Sequence, residues 1–186
     1  AEAADSLNED SGLCEISLNS VILMQADSAR DGVEKLAKIL DKHGAGECNS
    51  LTISDADEVW DFEILSGYQY VAVKMPKDKV SVNPNMVVMN EIDTADTENV
   101  IASKNLIALP QEKGFLVSSQ VPATGVPAGQ KITKIDIQKT YGAEDFGDGQ
   151  YVRYWQGVNY LNKALSNNVD IYRANADTVP VGPFNM

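Results

Sequence analysis

The stretch ISDADEVWDFEI, residues 53–64, carries five acidic side chains in twelve positions. Its second half alternates between apolar and acidic side chains, a period typical of a β-strand. Trp60, Phe62 and Ile64 fall on one face, and Asp61 and Glu63 fall on the other. The first half, SDADE, is typical of a tight turn, because Asp side chains accept hydrogen bonds from nearby backbone N–H groups. The stretch therefore predicts a turn followed by a strand with one apolar and one polar face.

The acids of this stretch could also bind calcium. A calcium loop needs oxygen ligands at alternating positions, followed by a glycine that allows a sharp turn. Asp55 and Asp57 fit this pattern, but Val59 and Trp60 stand where another ligand and the glycine are needed. The sequence therefore disfavours calcium, and we expect no metal and no other cofactor.

Asp61 and Glu63 offer a second alternative, a pair of catalytic carboxylates. Two carboxyl groups in unequal environments can divide the acid and base roles of a reaction. The pattern favours the simpler interpretation, in which both side chains belong to the polar face of the strand.

The regions around this stretch predict an α+β chain that forms a single domain segment over residues 1–186. Helices are expected over about 15–43, where Asp27 or Ser28 caps the second helix and Gly44 ends it. Antiparallel strands are expected over about 50–90, including 80–82, because the period changes to two.

Residues 96–186 are expected to form a helix and loop region. A helix is predicted from Thr97, capped by Asp96, to just before Pro110. Residues 118–131, rich in Ser, Pro and Gly, predict a loop, and 135–141 and 154–165 predict shorter helices. The end, ADTVPVGPFNM, stops in proline-broken extended chain, as though the polypeptide continued.

Composition excludes several classes of function. The chain has 15 Lys and Arg against 27 Asp and Glu, a net charge of −12, whereas nucleic-acid binding normally needs a basic face. No apolar run approaches the roughly 18 to 20 residues that span a bilayer. We therefore expect a soluble protein that binds neither nucleic acid nor membrane.

The single histidine and the two cysteines offer little catalytic machinery. His43 follows a lysine at the end of a predicted helix, where it can interact with the last carbonyls. Cys14 and Cys48 are too few for a disulfide framework and are not spaced as a zinc knuckle. Reduced, unpaired thiols are the default expectation.

The order of motifs over residues 31–85 resembles the cysteine dipeptidases, a bacterial family of N-terminal-nucleophile hydrolases. In that family a helix ends in an HGA-type turn and is followed by D-x-D-E-x-W-x-x-E-I, an SG turn, A-V-(K/R)-x-P-D-D and a strand ending in Asn. This chain has HGA, SDADEVWDFEI, SGYQY, AVKMPKD and VSVNPN in the same order. The resemblance extends more loosely to AADSLNEDSGLCE at the front and TYGAEDFGDGQYVRYWQGVNYLN at the back.

The resemblance implies the internal part of a four-layer αββα fold and hydrolysis of dipeptides. The nucleophile of such enzymes is an N-terminal cysteine whose own α-amine serves as base, so no histidine is needed. The strand-end Asn of the family falls on Asn85, with Asn83 as the alternative register, and would donate a hydrogen bond to the oxyanion. The family's Arg falls on Arg153 and would bind a substrate carboxylate or position the nucleophile. Trp60 and Glu63 match the family strand as framework residues.

The chain departs from the family at its start, because residue 1 is Ala rather than Cys. Cys14 and Cys48 do not fit the role, since each has a peptide rather than an amine on its nitrogen. We therefore expect an internal piece of a longer bacterial enzyme, cytoplasmic by preference, that needs the remainder of its parent chain and is inactive alone. A homo-oligomer is possible. The alternatives are an acylase of the bile-salt or penicillin type, and a binding or scaffold domain without catalysis.

Overall fold

The computed structural model describes residues 12–122, 125, 129–142 and 148–161. Within these ranges the chain is a mixed α+β structure with an antiparallel sheet, as predicted. The helices are α1 (Glu15–Leu23), α2 (Ala29–His43), α3 (Ala108–Lys113), α4 (Ile137–Tyr141) and α5 (Asp148–Leu161). The strands are β1 (Asn49–Ser54), β2 (Val59–Ser66), β3 (Gln69–Lys74), β4 (Glu91–Asp93), β5 (Val100–Ala102) and β6 (Lys134–Asp136).

Helix α2 begins and ends where the sequence predicts. The hydroxyl of Ser28 accepts the N–H of Asp31 at 3.2 Å, which satisfies one of the N–H groups that a helix start leaves without a partner. Gly44 ends the helix with φ at +67°, a conformation that glycine adopts without steric cost. The capping residues therefore confirm the prediction, with Ser28 rather than Asp27 as the cap.

The main sheet has the strand order β1-β2-β3-β5, and all its neighbours are antiparallel. Helices α1 and α2 cover one face of it. There the fully buried Leu36 and Leu40 of α2 belong to one core with Trp60 and Phe62 of β2. The predicted meander over β1 to β3 is confirmed, together with the apolar face of β2.

The other face of β2 carries the two predicted acidic side chains and is covered by protein. Asp61 and Glu63 are 4% and 3% exposed, so the polar face is buried rather than turned to solvent. A second layer covers it, in which the small β4-β6 sheet and the segment before it contribute Met89 and Ile135 to a second core. Because β2 lies between β1 and β3 with a layer on each side, both its faces are buried.

Two predicted elements are wrong. Residues 80–82 form no strand, since the chain leaves the sheet after β3 and turns through a segment containing Pro84, which has no N–H to donate to a ladder. The helix predicted from Thr97 is also absent. Residues 100–102 instead form β5, and α3 starts only at Ala108, which puts Pro110 in its first turn, where a missing N–H costs nothing.

The remaining elements of the C-terminal half agree with the prediction in part. Residues 135–141 divide between the end of β6 and α4, and α5 begins six residues earlier than predicted. The described residues of 118–131 form neither helix nor strand, as predicted for a loop. The front motif before Gly12, the predicted helical residues 162–165 and the C-terminal ADTVPVGPFNM lie outside the described residues.

Helix α5 packs closely on the segment after β3, at Gly157. A Cβ added at Gly157 would lie 2.5 Å from Cγ1 of Val82, well inside van der Waals contact. We expect Gly157→Ala to lower the free energy of unfolding by about 1–3 kcal/mol, even though Ala is the better helix former. Thermal unfolding of the protein tests this, with Gly149→Ala as control, because a Cβ at Gly149 meets no atom within 4 Å. Equal midpoints for the two variants would contradict the close packing.

Candidate active site

A pocket of about 510 Å³ lies between β1, β2 and the segment that follows β3. Its lining includes Asn49 of β1, Glu63 of β2, and both Asn83 and Asn85. Asn83 and Asn85 are both exposed residues of this lining. The structure therefore places Asn85 and the alternative Asn83, the two candidates for the oxyanion donor, in the same pocket.

Asn85 and Arg153 meet at a third residue, Gln150 of α5. Oε1 of Gln150 accepts the backbone N–H of Asn85 at 3.0 Å and a hydrogen bond from Nη1 of Arg153 at 3.3 Å. Arg153 is exposed and lies three positions after Gln150 on the same face of the helix. The contact uses the backbone of Asn85 and does not occupy its side-chain amide. Gln150 was not predictable from local patterns, because its partner Asn85 lies 65 positions away.

Glu63 is the unexpected member of the pocket. It is 3% exposed, and its Oε1 accepts the N–H of Val88 at 3.1 Å, while Oε2 is buried without a hydrogen-bond partner among the described residues. Burial raises the pKa of Glu63 to about 7, although hydrogen bonds from the backbone of Val88 and Met89 act in the opposite direction. The sequence predicted a framework residue. A functional role could have been suspected from its position, because it is an acid in the middle of a strand that has a neighbouring strand on each side.

Asp61 does not join Glu63 in the pocket. It lines a separate depression that also contains Asp55 and Lys79. Its Oδ1 accepts a hydrogen bond from the hydroxyl of Thr52 at 3.3 Å. The arrangement therefore gives no support to an acid and base pair made of Asp61 and Glu63.

The acidic turn before β2 is a structural feature. Oδ1 of Asp55 accepts the N–H groups of Asp57 and Glu58 at 2.8 and 3.0 Å, and Oδ2 accepts the N–H of Ala29 at 2.7 Å. These three backbone donors lower the pKa of Asp55. The turn predicted from SDADE is confirmed, and it also fixes the start of α2 against the sheet.

The two cysteines lack the surroundings of a catalytic thiol. The thiol of Cys48 donates a hydrogen bond to the carbonyl of Leu65 at 2.7 Å, and that of Cys14 lies 3.7 Å from the carbonyl of Gly12. Both side chains are exposed. In the described ranges no group of three His, Cys, Asp or Glu is arranged to hold a metal ion, and none of the helices there is long and apolar enough to cross a membrane.

Comparison with known proteins supports the motif-based resemblance. A "Probable dipeptidase B" of Streptococcus pyogenes serotype M6 is 48% identical over 151 residues, which cover 81% of this chain and 28% of that protein. A "Probable dipeptidase" of Salmonella dublin is 30% identical over 183 residues, or 97% of this chain and 39% of that protein.

A third relative gives the same picture. A "Probable dipeptidase" of Latilactobacillus sakei is 32% identical over 156 residues, which cover 83% of this chain and 30% of that protein. The chain thus spans less than two fifths of the length of each of these relatives. Residues 2–181 match the sequence profile of Peptidase family C69. The resemblance drawn from the motifs is therefore confirmed, and the chain belongs to peptidase family C69.

Proposed function

We propose that this chain is part of an enzyme that hydrolyses dipeptides through an N-terminal cysteine nucleophile. The observation that carries the proposal is the family match, which covers residues 2–181, together with relatives whose names all give dipeptidase activity. The pocket containing Asn83 and Asn85 supports it, because these are the positions at which the family resemblance puts the oxyanion donor.

In the proposed reaction, the cysteine carries out the bond-making steps, and the pocket residues bind the substrate and stabilise the oxyanion. The cysteine thiol attacks the peptide carbonyl and passes its proton to its own α-amine, and the amine of the leaving amino acid takes up a proton as the C–N bond breaks. Water then hydrolyses the thioester and releases the first amino acid. Asn85 donates its amide N–H to the carbonyl oxygen as negative charge develops there. Arg153 binds the carboxylate of the substrate. It lies near Asn85, because both residues donate a hydrogen bond to the side chain of Gln150.

The nucleophile belongs, in this proposal, to a part of the protein outside these 186 residues. Cys14 and Cys48 both carry peptide nitrogens, and the thiol of Cys48 donates to a backbone carbonyl instead of approaching a base. Both features are inconsistent with a thiol that is activated by its own amine.

The same proposal assigns the chain to an αββα N-terminal-nucleophile fold. A helix layer on one face of an antiparallel sheet and the β4-β6 sheet in the layer on its other face are compatible with three of those four layers. The remaining strands and the second helix layer would come from the rest of the protein.

The test uses the full-length protein. N-terminal sequencing and intact mass are expected to show a mature chain that begins with Cys, and dipeptides are expected to be hydrolysed in preference to a glycine-conjugated bile salt or a penicillin. Alkylation of the N-terminal cysteine should abolish the activity. Preferential cleavage of the bile-salt or penicillin amide would instead support the acylase alternative. Binding of peptides without turnover by a protein that has no N-terminal cysteine would support the binding domain.

A further inference from the structure

We infer that Glu63 is a positioning residue for the asparagine pocket, acting through its hydrogen bond to the backbone of residues 83–89. We call these residues the pocket segment. The inference rests on the proposed function, because it assigns to Glu63 the task of holding Asn85 where an oxyanion donor is needed. It concerns a side chain that the sequence marked only as framework.

Glu63 lies on a central strand of the main sheet. It lies in β2, where it pairs with Ser50 of β1 on one side and with Val71 of β3 on the other. Because neighbouring strands are hydrogen-bonded on both sides, the backbone of Glu63 cannot shift independently of the sheet. The carboxylate is therefore a stationary acceptor.

The pocket segment, in contrast, pairs with no strand in the part of the chain that the structure describes. The N–H of Asn85 is bonded to Gln150, and at the far end the carbonyl of Met89 accepts the N–H of Gln138 at 2.9 Å. Between these points, Oε1 of Glu63 accepts the N–H of Val88, three positions after Asn85. Together with the backbone hydrogen bond of Met89 to the same carboxylate, this bond joins the pocket segment to the main sheet.

Burial makes this contact hard to replace. Val88 is 2% exposed, so water cannot take over its N–H if the carboxylate is removed. A buried donor without an acceptor is destabilising, and the segment can avoid this cost by moving. Such a shift would carry Asn85 with it, and a displacement of about 1 Å at a catalytic group can cost up to a hundredfold in rate.

The alternative for a buried acid in a pocket is direct catalysis as a general acid or base. The two roles respond differently to substitution. A positioning residue needs an acceptor oxygen, which glutamine retains, whereas a proton-transferring residue needs the carboxyl group itself.

The experiment compares variants of the full-length enzyme by dipeptide turnover per titrated active site. Glu63→Gln is expected to stay within about threefold of the wild-type kcat, because its amide oxygen can still accept the N–H of Val88. Glu63→Leu, of similar size but without an acceptor, is expected to lose about tenfold or more. The matched control is Asp61→Leu on the same face of β2, which removes a buried acid that contacts Thr52 and not the pocket segment. Its kcat per active site should be unchanged.

A double-mutant cycle shows whether Glu63 acts through Asn85. In the Asn85→Ala background, Glu63→Leu is expected to have little further effect on kcat, because the group that it positions is already absent. Full additivity of the two losses would overturn the inference. An equally large loss in Glu63→Gln would also overturn it, in favour of proton transfer.

Hydrogen exchange measures the positioning itself, without reference to catalysis. The amides of Val88 and Met89 are expected to exchange at least tenfold faster in Glu63→Leu than in the wild type, with little change in Asp61→Leu. Unchanged exchange would overturn the inference whatever the enzyme hydrolyses. If exchange accelerates as expected but the wild-type enzyme does not cleave dipeptides, the proposed function fails and the anchoring of the segment by Glu63 stands.

Discussion

Asn85→Ala in the full-length enzyme is expected to lower kcat for dipeptide hydrolysis by about a hundredfold or more. Removing one hydrogen-bond donor from an oxyanion site typically costs about 3 to 4 kcal/mol of transition-state stabilisation. That stabilisation is present only when negative charge develops on the carbonyl oxygen, so kcat and kcat/KM should fall together and KM should change little. Steady-state kinetics on a dipeptide, normalised to titrated active sites, measures both.

The structure offers a matched control for this substitution. Asn83 lines the same pocket and is likewise exposed, and Asn83→Ala removes the same chemical group two positions away. It should retain most of the activity. The backbone N–H of Asn85, which binds Gln150, remains in the alanine variant, so the thermal midpoint of Asn85→Ala should match that of the wild type. A large loss in Asn83→Ala instead would assign the role to the other register, and no loss in either would move it elsewhere.

Elements specified by neighbouring residues were predictable from the sequence. Ser28 and Gly44 bound α2 as expected, since a cap is formed by side chains and backbone within one turn of the helix end. The turn at Asp55 and the alternation in β2 are also local. The family resemblance then suggested Asn85 and Arg153 as candidate site residues, which no periodicity would have distinguished from surface residues.

Elements that depend on distant partners were not predictable. Residues 100–102 become β5 because they pair with β3, whereas their local pattern suggested a helix capped by Asp96. Asp96 does accept the N–H of Asn99, as a cap would, but the chain then continues into the strand. The burial of Glu63 depends in the same way on a layer formed by later residues. Alternation within β2 distinguished its two faces but not whether the polar one met water.

The stability of the protein is expected to depend on the ionisation of Glu63. Its pKa is about 7 in the folded protein and 4.5 in the unfolded chain, because burial penalises the charged form. Between these values the folded protein holds a proton that the unfolded chain releases. The contribution of Glu63 to the free energy of unfolding is therefore fully present below about pH 4.5 and is lost as the pH rises through about 7. The loss amounts to about 3 kcal/mol.

Glu63→Gln separates this contribution from all other titrations, because glutamine resembles the protonated acid at every pH. The stability of the variant relative to the wild type is expected to rise by about 2–3 kcal/mol between about pH 5 and about pH 8. Thermal unfolding of both proteins at the two pH values provides the measurement. Asp55→Asn is the control, because hydrogen bonds lower the pKa of Asp55 and leave it ionised at both pH values, so its difference from the wild type should be constant. A constant difference for Glu63→Gln as well would mean that water reaches the carboxylate in the folded protein and would contradict its burial beneath the pocket segment.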